Sequence, residues 1–207
     1  MEIKKELNKI ILSFFISLIF LGALGITASA EYSEKIQTGI ADSVIRFHVI
    51  GNSDSFADQQ LKLQVRDKIL ERVTPLIENS QSKEETKEIF VKNLKMIENI
   101  ALKEIKSRGH DYSVKVSLEN CKFPLKNYGE ITFPAGYYDA LRVEIGAGAG
   151  ENFWCVMYPS VCFVEESISV CDDIKKALTV EEYSVVTSGG EKPKIKFKIV
   201  EWWQEKK

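Results

Sequence analysis

Histidine is scarce in this chain, which has only His48 and His110 among its 207 residues. A nucleophilic site that pairs a serine or a cysteine with a histidine base would have to use one of them. The sequence contains no H-E-x-x-H or C-x-x-C motif, which excludes the familiar zinc sites, and no G-x-S-x-G nucleophile elbow. These absences leave few routes to catalysis.

A basic excess is also missing. The 28 Lys and Arg residues are outnumbered by 30 Asp and Glu residues, and the formal net charge is -2. Nucleic-acid binding needs a basic face, so we expect no nucleic-acid partner. The glycines at 146, 148 and 150 do not form a dinucleotide loop, because Glu151 occupies the place of the third glycine. We therefore expect no metal and no cofactor.

The first 30 residues have the three-part layout of a secretory signal peptide. Lys4, Lys5 and Lys9 precede an uncharged run over residues 10–26, and residues 28–30 supply the A-x-A pattern of a cleavage site. We predict export with cleavage after Ala30. The alternative is that the apolar run stays in the membrane as an anchor. In both cases the rest of the chain faces outward.

The remainder predicts one α+β domain over residues 44–207, after a short mobile lead-in at 31–43. A strand over 44–50 is followed by two amphipathic helices, which begin at the capping residues Ser55 and Ser82 and of which the second ends near Gly109. Strands are then predicted near 112–118, 141–145, 153–158 and 195–199. The run 153–158 is continuously apolar, which favours a central strand covered on both faces. This order predicts two helices packed on a mixed or antiparallel sheet.

Four cysteines are present, at positions 121, 155, 162 and 171. An even number in an exported chain permits disulfides. Cys155 and Cys162 flank a predicted turn that would bring their sulfurs together, and a pair of buried thiols is the alternative. A catalytic cysteine is the weaker third interpretation, because no neighbour in the sequence would activate it.

Several ordered segments resemble the stage II sporulation protein R family of endospore-forming bacteria. They are the strand and cap at 45–55, the helix start at 58–67, the segment FPAGYYDALRV at 133–143, and the segment at 146–164 that contains GAGAGENFWCVMYP. The chain departs from the family at Gly51, where alanine is frequent, and at Phe56, where proline is frequent. Residues 166–207 carry no family motif and are interpreted as a variable C-terminal part.

The resemblance implies a sporulation signal that is secreted from the forespore into the space between the forespore and mother-cell membranes. There it is expected to activate a membrane-embedded aspartic protease that processes pro-sigma E, with membrane contact only through the leader. It implies no enzymatic activity of the chain itself. As the polar part of the contact surface we expect Arg46, His48, Asn52, Asp54, Arg66 and Asp67. As residues that shape the fold beside it we expect Pro134, Gly136 and Trp154.

Two rival functions stay open at this point. A secreted hydrolase would use Cys155 or Cys162 with His48. A cell-wall-binding module would stack sugars on Tyr137, Tyr138 or Trp202. His48 also has a plain structural interpretation, in which it is a buried histidine and the residues after it form a helix cap.

Overall fold

The computed structural model describes residues 2–159 and 168–189. The chain divides into two compact units, one made of residues 1–36 and 192–207 and the other of Gln37–Glu191. Helix α1 spans Glu2–Ser43, and its residues 11–24 expose large apolar side chains. Within the described part of the chain, no helix combines the length and the apolar character needed to cross a membrane.

Residues 31–43, predicted as a mobile lead-in, are helical. The prediction underrated two features of this segment, the absence of proline and the spacing of Ile36 and Ile40 one helical turn apart. In the second unit Ile40 and Ala41 are buried. The last two turns of α1 are therefore part of the folded body.

Helices α2 (Phe56–Ile77) and α3 (Lys83–Ser107) begin where the capping pattern predicts. The Ser55 hydroxyl accepts the Asp58 N–H and the Ser82 hydroxyl accepts the Glu85 N–H, which satisfies one free amide at each helix start. Pro75 lies in the last turn of α2, and Gly109 follows α3 with a φ of 79°. The end of α3 thus agrees with the sequence prediction.

A four-stranded mixed sheet forms the centre of the second unit. Its strands are β1 (Ile45–Ile50), β2 (Val114–Phe123), β5 (Gly136–Ile145) and β6 (Asn152–Tyr158), and their order across the sheet is β2-β5-β1-β6. Strand β1 runs parallel to β5, and the other two pairings are antiparallel. The predicted fold class is confirmed. Strand β6 was expected in the centre, but among the described strands it lies at one end of the sheet.

One face of the sheet carries the main apolar core. Phe47 and Val49 of β1 and Leu141 and Val143 of β5 pack there with the apolar stripes of α2 and α3. Alternate residues of a strand point to opposite faces, so Arg46, His48 and Arg142 belong to the other face. We call this second face, on the side away from α2 and α3, the open face.

Small elements cover one end of the open face. Strands β3 (Lys126–Tyr128) and β4 (Ile131–Phe133) form a hairpin in the segment that was predicted only as turn-rich. Helix α4 (Ile168–Ala177) precedes helix α5 (Val180–Thr187), which begins with a capping box at Thr179 and packs near β4. The predicted strand at 195–199 lies outside the described residues.

Candidate functional site

The loop after β1 and the glycine-rich turn after β5 are joined by hydrogen bonds. We name residues 51–55 and 146–151 together the loop latch. The N–H groups of Ala147 and Glu151 donate to the side-chain oxygens of Asn52 and Asp54, at 3.0 and 2.6 Å. Backbone bonds from Ala149 to Asn52 and from Gly150 to residue 51 complete the junction. Two predicted contact residues, Asn52 and Asp54, thus have a structural task in this latch.

Asp58, at the start of α2, binds the latch through its side chain. Its buried carboxylate accepts hydrogen bonds from Asn52 Nδ2 at 2.8 Å and Ser53 Oγ at 2.5 Å. These bonds, with that to Ser53 first, hold the pKa of Asp58 below its usual value. The sequence analysis placed position 58 only at the start of a helix, and nothing in the local pattern indicates that the Asp58 carboxylate binds the latch.

Lys62 links α2 to the part of the latch formed by residues 146–151. Its Nζ donates to the backbone oxygen of Glu151 at 3.0 Å, and Gln59 Nε2 donates to the backbone oxygen of Ser53 at 2.8 Å. Burial lowers the pKa of Lys62. The latch is therefore a rigid junction between β1, α2 and the β5–β6 connection.

Arg66 and Asp67 lie on the exposed side of α2. The Arg66 guanidinium is 4.6 Å from the centre of the Phe153 ring on β6, and its Nε donates to Asp67 Oδ1 at 2.7 Å. Asp67 is exposed and Arg66 is half-buried. Phe153 lies two residues beyond Glu151, the last residue of the latch, and it is the residue through which Arg66 contacts β6.

Arg46 is fully buried on the open face, inside a cage of aromatic rings. Its guanidinium carbon lies 4.5, 5.0, 5.1 and 5.7 Å from the ring centres of Phe123, Tyr138, Phe133 and Tyr128. Nε donates to the Cys155 backbone oxygen at 3.1 Å and Nη2 to the Tyr128 hydroxyl at 2.9 Å. Burial lowers its pKa. In this free form of the protein Arg46 does not reach the surface.

His48 lies two residues further along β1 and is 6 % exposed. Its ring stacks on Trp154 of β6, with the ring centres 3.9 Å apart. Burial lowers its pKa from 6.5 to about 4, against a weaker opposite effect of Asn152, so the ring is neutral at neutral pH. The Asn152 side chain lies close enough to affect the ring, but neither ring nitrogen has a partner within hydrogen-bond distance among the described residues.

Arg142 of β5 pairs in register with His48, and the sequence analysis did not select it. Its Nη1 contacts Glu119 of β2 at 2.8 Å and its Nη2 contacts Glu144 at 2.9 Å. The bond to Glu119 is the main cause that raises the pKa of Arg142. The alternation at 141–145 places Arg142 opposite the core, but only the strand register shows that it lies beside His48.

The three residues expected to shape the fold lie around this face. The Pro134 carbonyl accepts the hydroxyl of buried Tyr138 at 2.7 Å, and Gly136 leaves room for the Gln37 side chain, which a Cβ would overlap. Trp154 is half-buried and stacks on His48. Because Tyr138 is buried, it cannot stack on a sugar ring. Tyr137 is exposed, and Trp202 lies outside the described residues.

The cysteines give no support to a Cys–His site with Cys155. Cys155 pairs in register with Phe47 and His48 pairs with Trp154, so Cys155 and His48 lie on opposite faces of the sheet. Cys155 is also disulfide-bonded, and its predicted partner Cys162 lies outside the described residues. Cys121 is a free thiol whose pKa burial raises to about 11, which leaves it protonated at neutral pH.

No group of three or more His, Cys, Asp or Glu side chains that could hold a metal ion occurs within residues 2–159 and 168–189. Of the six predicted contact residues, Asn52 and Asp54 belong to the latch, and Arg66 and Asp67 form a pair on α2. Arg46 and His48 lie inside the open face. The contact role of all six stays a prediction.

Comparison with known proteins gives one consistent result. A model of the family described as stage II sporulation protein R matches residues 41–168. Stage II sporulation protein R of Bacillus subtilis (strain 168) is 32% identical over 214 residues, which is 93% of this chain and 96% of that relative. No solved structure matches the chain.

Proposed function

Since the chain belongs to the stage II sporulation protein R family and therefore has a role in sporulation, we propose that it is an exported signal that activates a membrane protease. The protease is the membrane-embedded aspartic enzyme of the mother cell that processes pro-sigma E. The observation that carries the proposal is the family match over residues 41–168, which includes the whole sheet and the latch.

The described chemistry supports a signalling role over a hydrolytic one. His48 is neutral, buried and on the opposite sheet face from Cys155, and the free thiol of Cys121 is protonated at neutral pH. The buried charged groups of the described residues are engaged in holding strands and loops together. We infer that the domain acts by presenting a fixed surface to a partner.

Activation by contact requires that the signal bind one state of the protease better than the other. A ligand shifts a two-state equilibrium only by its differential affinity, and equal binding to both states shifts nothing. The rigid latch suits this task, because a preorganised surface loses little conformational entropy on binding.

Support for export comes from the sequence of residues 1–30, with its lysines, its apolar run and its A-x-A pattern. The domain then works in the space between the forespore and mother-cell membranes and touches a membrane only through its leader. Mass spectrometry of the exported protein tests the cleavage. A mature chain that begins at Glu31 is expected, and one that begins at Met1 would leave the anchor as the only export form.

Deletion of the gene in a sporulating host tests the function directly. Pro-sigma E should stay uncleaved in the deletion strain, and the wild-type chain supplied from the forespore should restore cleavage. A second strain that supplies the chain without residues 1–30 should fail to restore it. Normal cleavage in the deletion strain would refute the proposed function.

A further inference from the structure

Strand β2 forms a long edge of the sheet that pairs with no other strand among the described residues. It spans Val114–Phe123, and all 10 of its residues pair with β5 on the inner side. Native proteins usually protect such an edge by shortening it, by a bulge, or by proline or charge. The edge of β2 contains no proline, and its register with β5 has no bulge. Only its charges, at Lys115, Glu119 and Lys122, stand against pairing with another strand.

The pairing with β5 determines which backbone groups of β2 face outward. The Gly146 N–H donates to the Ser113 carbonyl at 2.8 Å, directly before the first paired residue of β2. Hydrogen-bonded and non-bonded pairs alternate along an antiparallel ladder. The even-numbered residues from 114 to 122 therefore turn their N–H and C=O groups away from β5. These residues are half-buried or exposed, which leaves the edge accessible to a further strand.

The side chains of β2 are complementary to their own order read in reverse. If two copies of β2 run antiparallel with Ser117 opposite Ser117, Lys115 of each copy lies opposite Glu119 of the other. Val116 of each copy then lies opposite Leu118 of the other. Facing side chains of an antiparallel pair lie on the same side of the sheet. Opposite charges therefore meet on the open face, and apolar side chains meet on the face that carries the main core.

The backbone pattern agrees with this register. Residues 116 and 118, which would face each other, both turn their N–H and C=O groups outward, so each such pair can exchange two hydrogen bonds. Moving the centre by one residue in either direction places Lys115 opposite Ser117 or Cys121, and both ion pairs are lost. Of these three registers, only the one centred on Ser117 satisfies both the backbone and the charges.

We propose that β2 is a dimerisation edge, at which a second copy of this chain pairs antiparallel and continues the sheet. The occupant is a second copy because a two-fold contact requires a surface that complements itself, and the segment 114–120 does so in both charge and apolar character. A two-fold axis at Ser117 makes every contact twice. The open faces of both copies then lie on the same side of the joined sheet. This inference goes beyond the proposed function and does not depend on it.

Sedimentation velocity of the purified exported protein tests the ion pairs, because it measures the mass of the particle as a function of concentration. Wild type should change from one chain to two chains as its concentration rises. Lys115→Glu places a glutamate opposite Glu119 at both symmetry-related positions, so the dissociation constant of the dimer should rise by roughly tenfold or more. Glu119→Lys should have the same effect. The double variant K115E/E119K restores opposite charges across the axis and should return the dissociation constant close to that of wild type.

Asn120→Pro tests the backbone pairing independently of charge. Asn120 is exposed and its N–H points outward, so proline at this position leaves the hydrogen bonds to β5 in place and removes the bond to Val114 of the second copy. The variant should stay monomeric, with the cooperative thermal unfolding of wild type. Lys122→Glu is the matched control. Lys122 is an exposed cation of the same strand outside the segment 114–120, and its variant should dimerise as wild type does.

Three results would overturn the dimerisation edge. The first is a wild-type protein that stays a single chain at its highest soluble concentration. The second is a dimer that neither Asn120→Pro nor the two charge reversals weaken, since it would form through another surface. The third is a monomeric wild type in which Asn120→Pro abolishes pro-sigma E cleavage, which would identify a segment of another protein as the occupant. Sedimentation does not involve the protease, so failure of the proposed function would leave the dimer result unchanged.

Discussion

Replacement of Arg46 tests whether contacts of its guanidinium with aromatic rings, rather than a salt bridge, stabilise the covered end of the open face. Within the described residues Arg46 has no carboxylate partner. Its stabilising contacts are two hydrogen bonds, at 3.1 and 2.9 Å, and four aromatic rings whose centres lie 4.5–5.7 Å away. The unpaired Nη1 and the loss of hydration oppose them.

The sizes of these contributions predict the order of stability of three variants. Arg46→Met keeps the chain length and removes the desolvated charge, so the lost hydrogen bonds and ring contacts are partly offset, and we expect a loss of about 1–2 kcal/mol. Arg46→Ala adds a cavity among the rings and should cost about 3–5 kcal/mol. Arg46→Lys should cost more than Met, because a compact, strongly hydrated ammonium cannot present a flat face to four rings.

Urea denaturation of the purified protein, followed by circular dichroism, measures these differences. For a protein of this size about 1 kcal/mol corresponds to a shift of about 2–4 °C in the thermal midpoint. A lysine variant as stable as wild type, together with a much less stable methionine variant, would refute the reasoning. It would show that a positive charge at this place is sufficient and that the planar group is not required.

Three further predictions concern the latch, the open face and the start of α3. Gly150→Ala places a Cβ against the backbone oxygen of Ser53 and should cost at least about 2 kcal/mol in urea denaturation. The folded pKa of His48 lies below its unfolded value of 6.5, so stability should fall as the pH drops from 6.5 to about 4, by at most about 3 kcal/mol; His48→Phe should remove this slope. Lys83→Met should cost about 1–3 kcal/mol, because Lys83 is buried and bonds both the carboxylate on β5 and the backbone of α1, whereas exposed Lys87→Met should cost less than about 1 kcal/mol. Equal losses of stability in Lys83→Met and Lys87→Met would contradict this prediction.

The sequence predicted those parts of the fold that depend on local patterns. The caps at Ser55 and Ser82, the strand β1 and the stop at Gly109 depend on neighbouring residues, and the structure confirms them. The β3–β4 hairpin was missed because strands of three residues are too short to show a period.

The site was harder to predict, because its contacts join distant parts of the chain. The sequence selected His48 and Trp154 but not Arg142 between Leu141 and Val143, whose importance depends on the β1–β5 register. Likewise, Arg46 looked like a surface cation, since nothing nearby shows that Phe123, Tyr128 and Phe133 surround it. Strand β6 was misplaced because an apolar run indicates burial and not its position in the sheet.

The pairing of β1 with β5 and β6 determines how much of the chain must be present before the sheet can form. Asn52 and Ala147 are 95 residues apart along the chain, and Arg46 and Cys155 are 109 apart. The first strand therefore has no sheet neighbour among the described residues until β5, at Gly136–Ile145, has emerged from the machinery that makes or moves the chain. A fragment that ends before β5 would leave β1 unpaired and would lack the latch, so it could not form the four-stranded sheet.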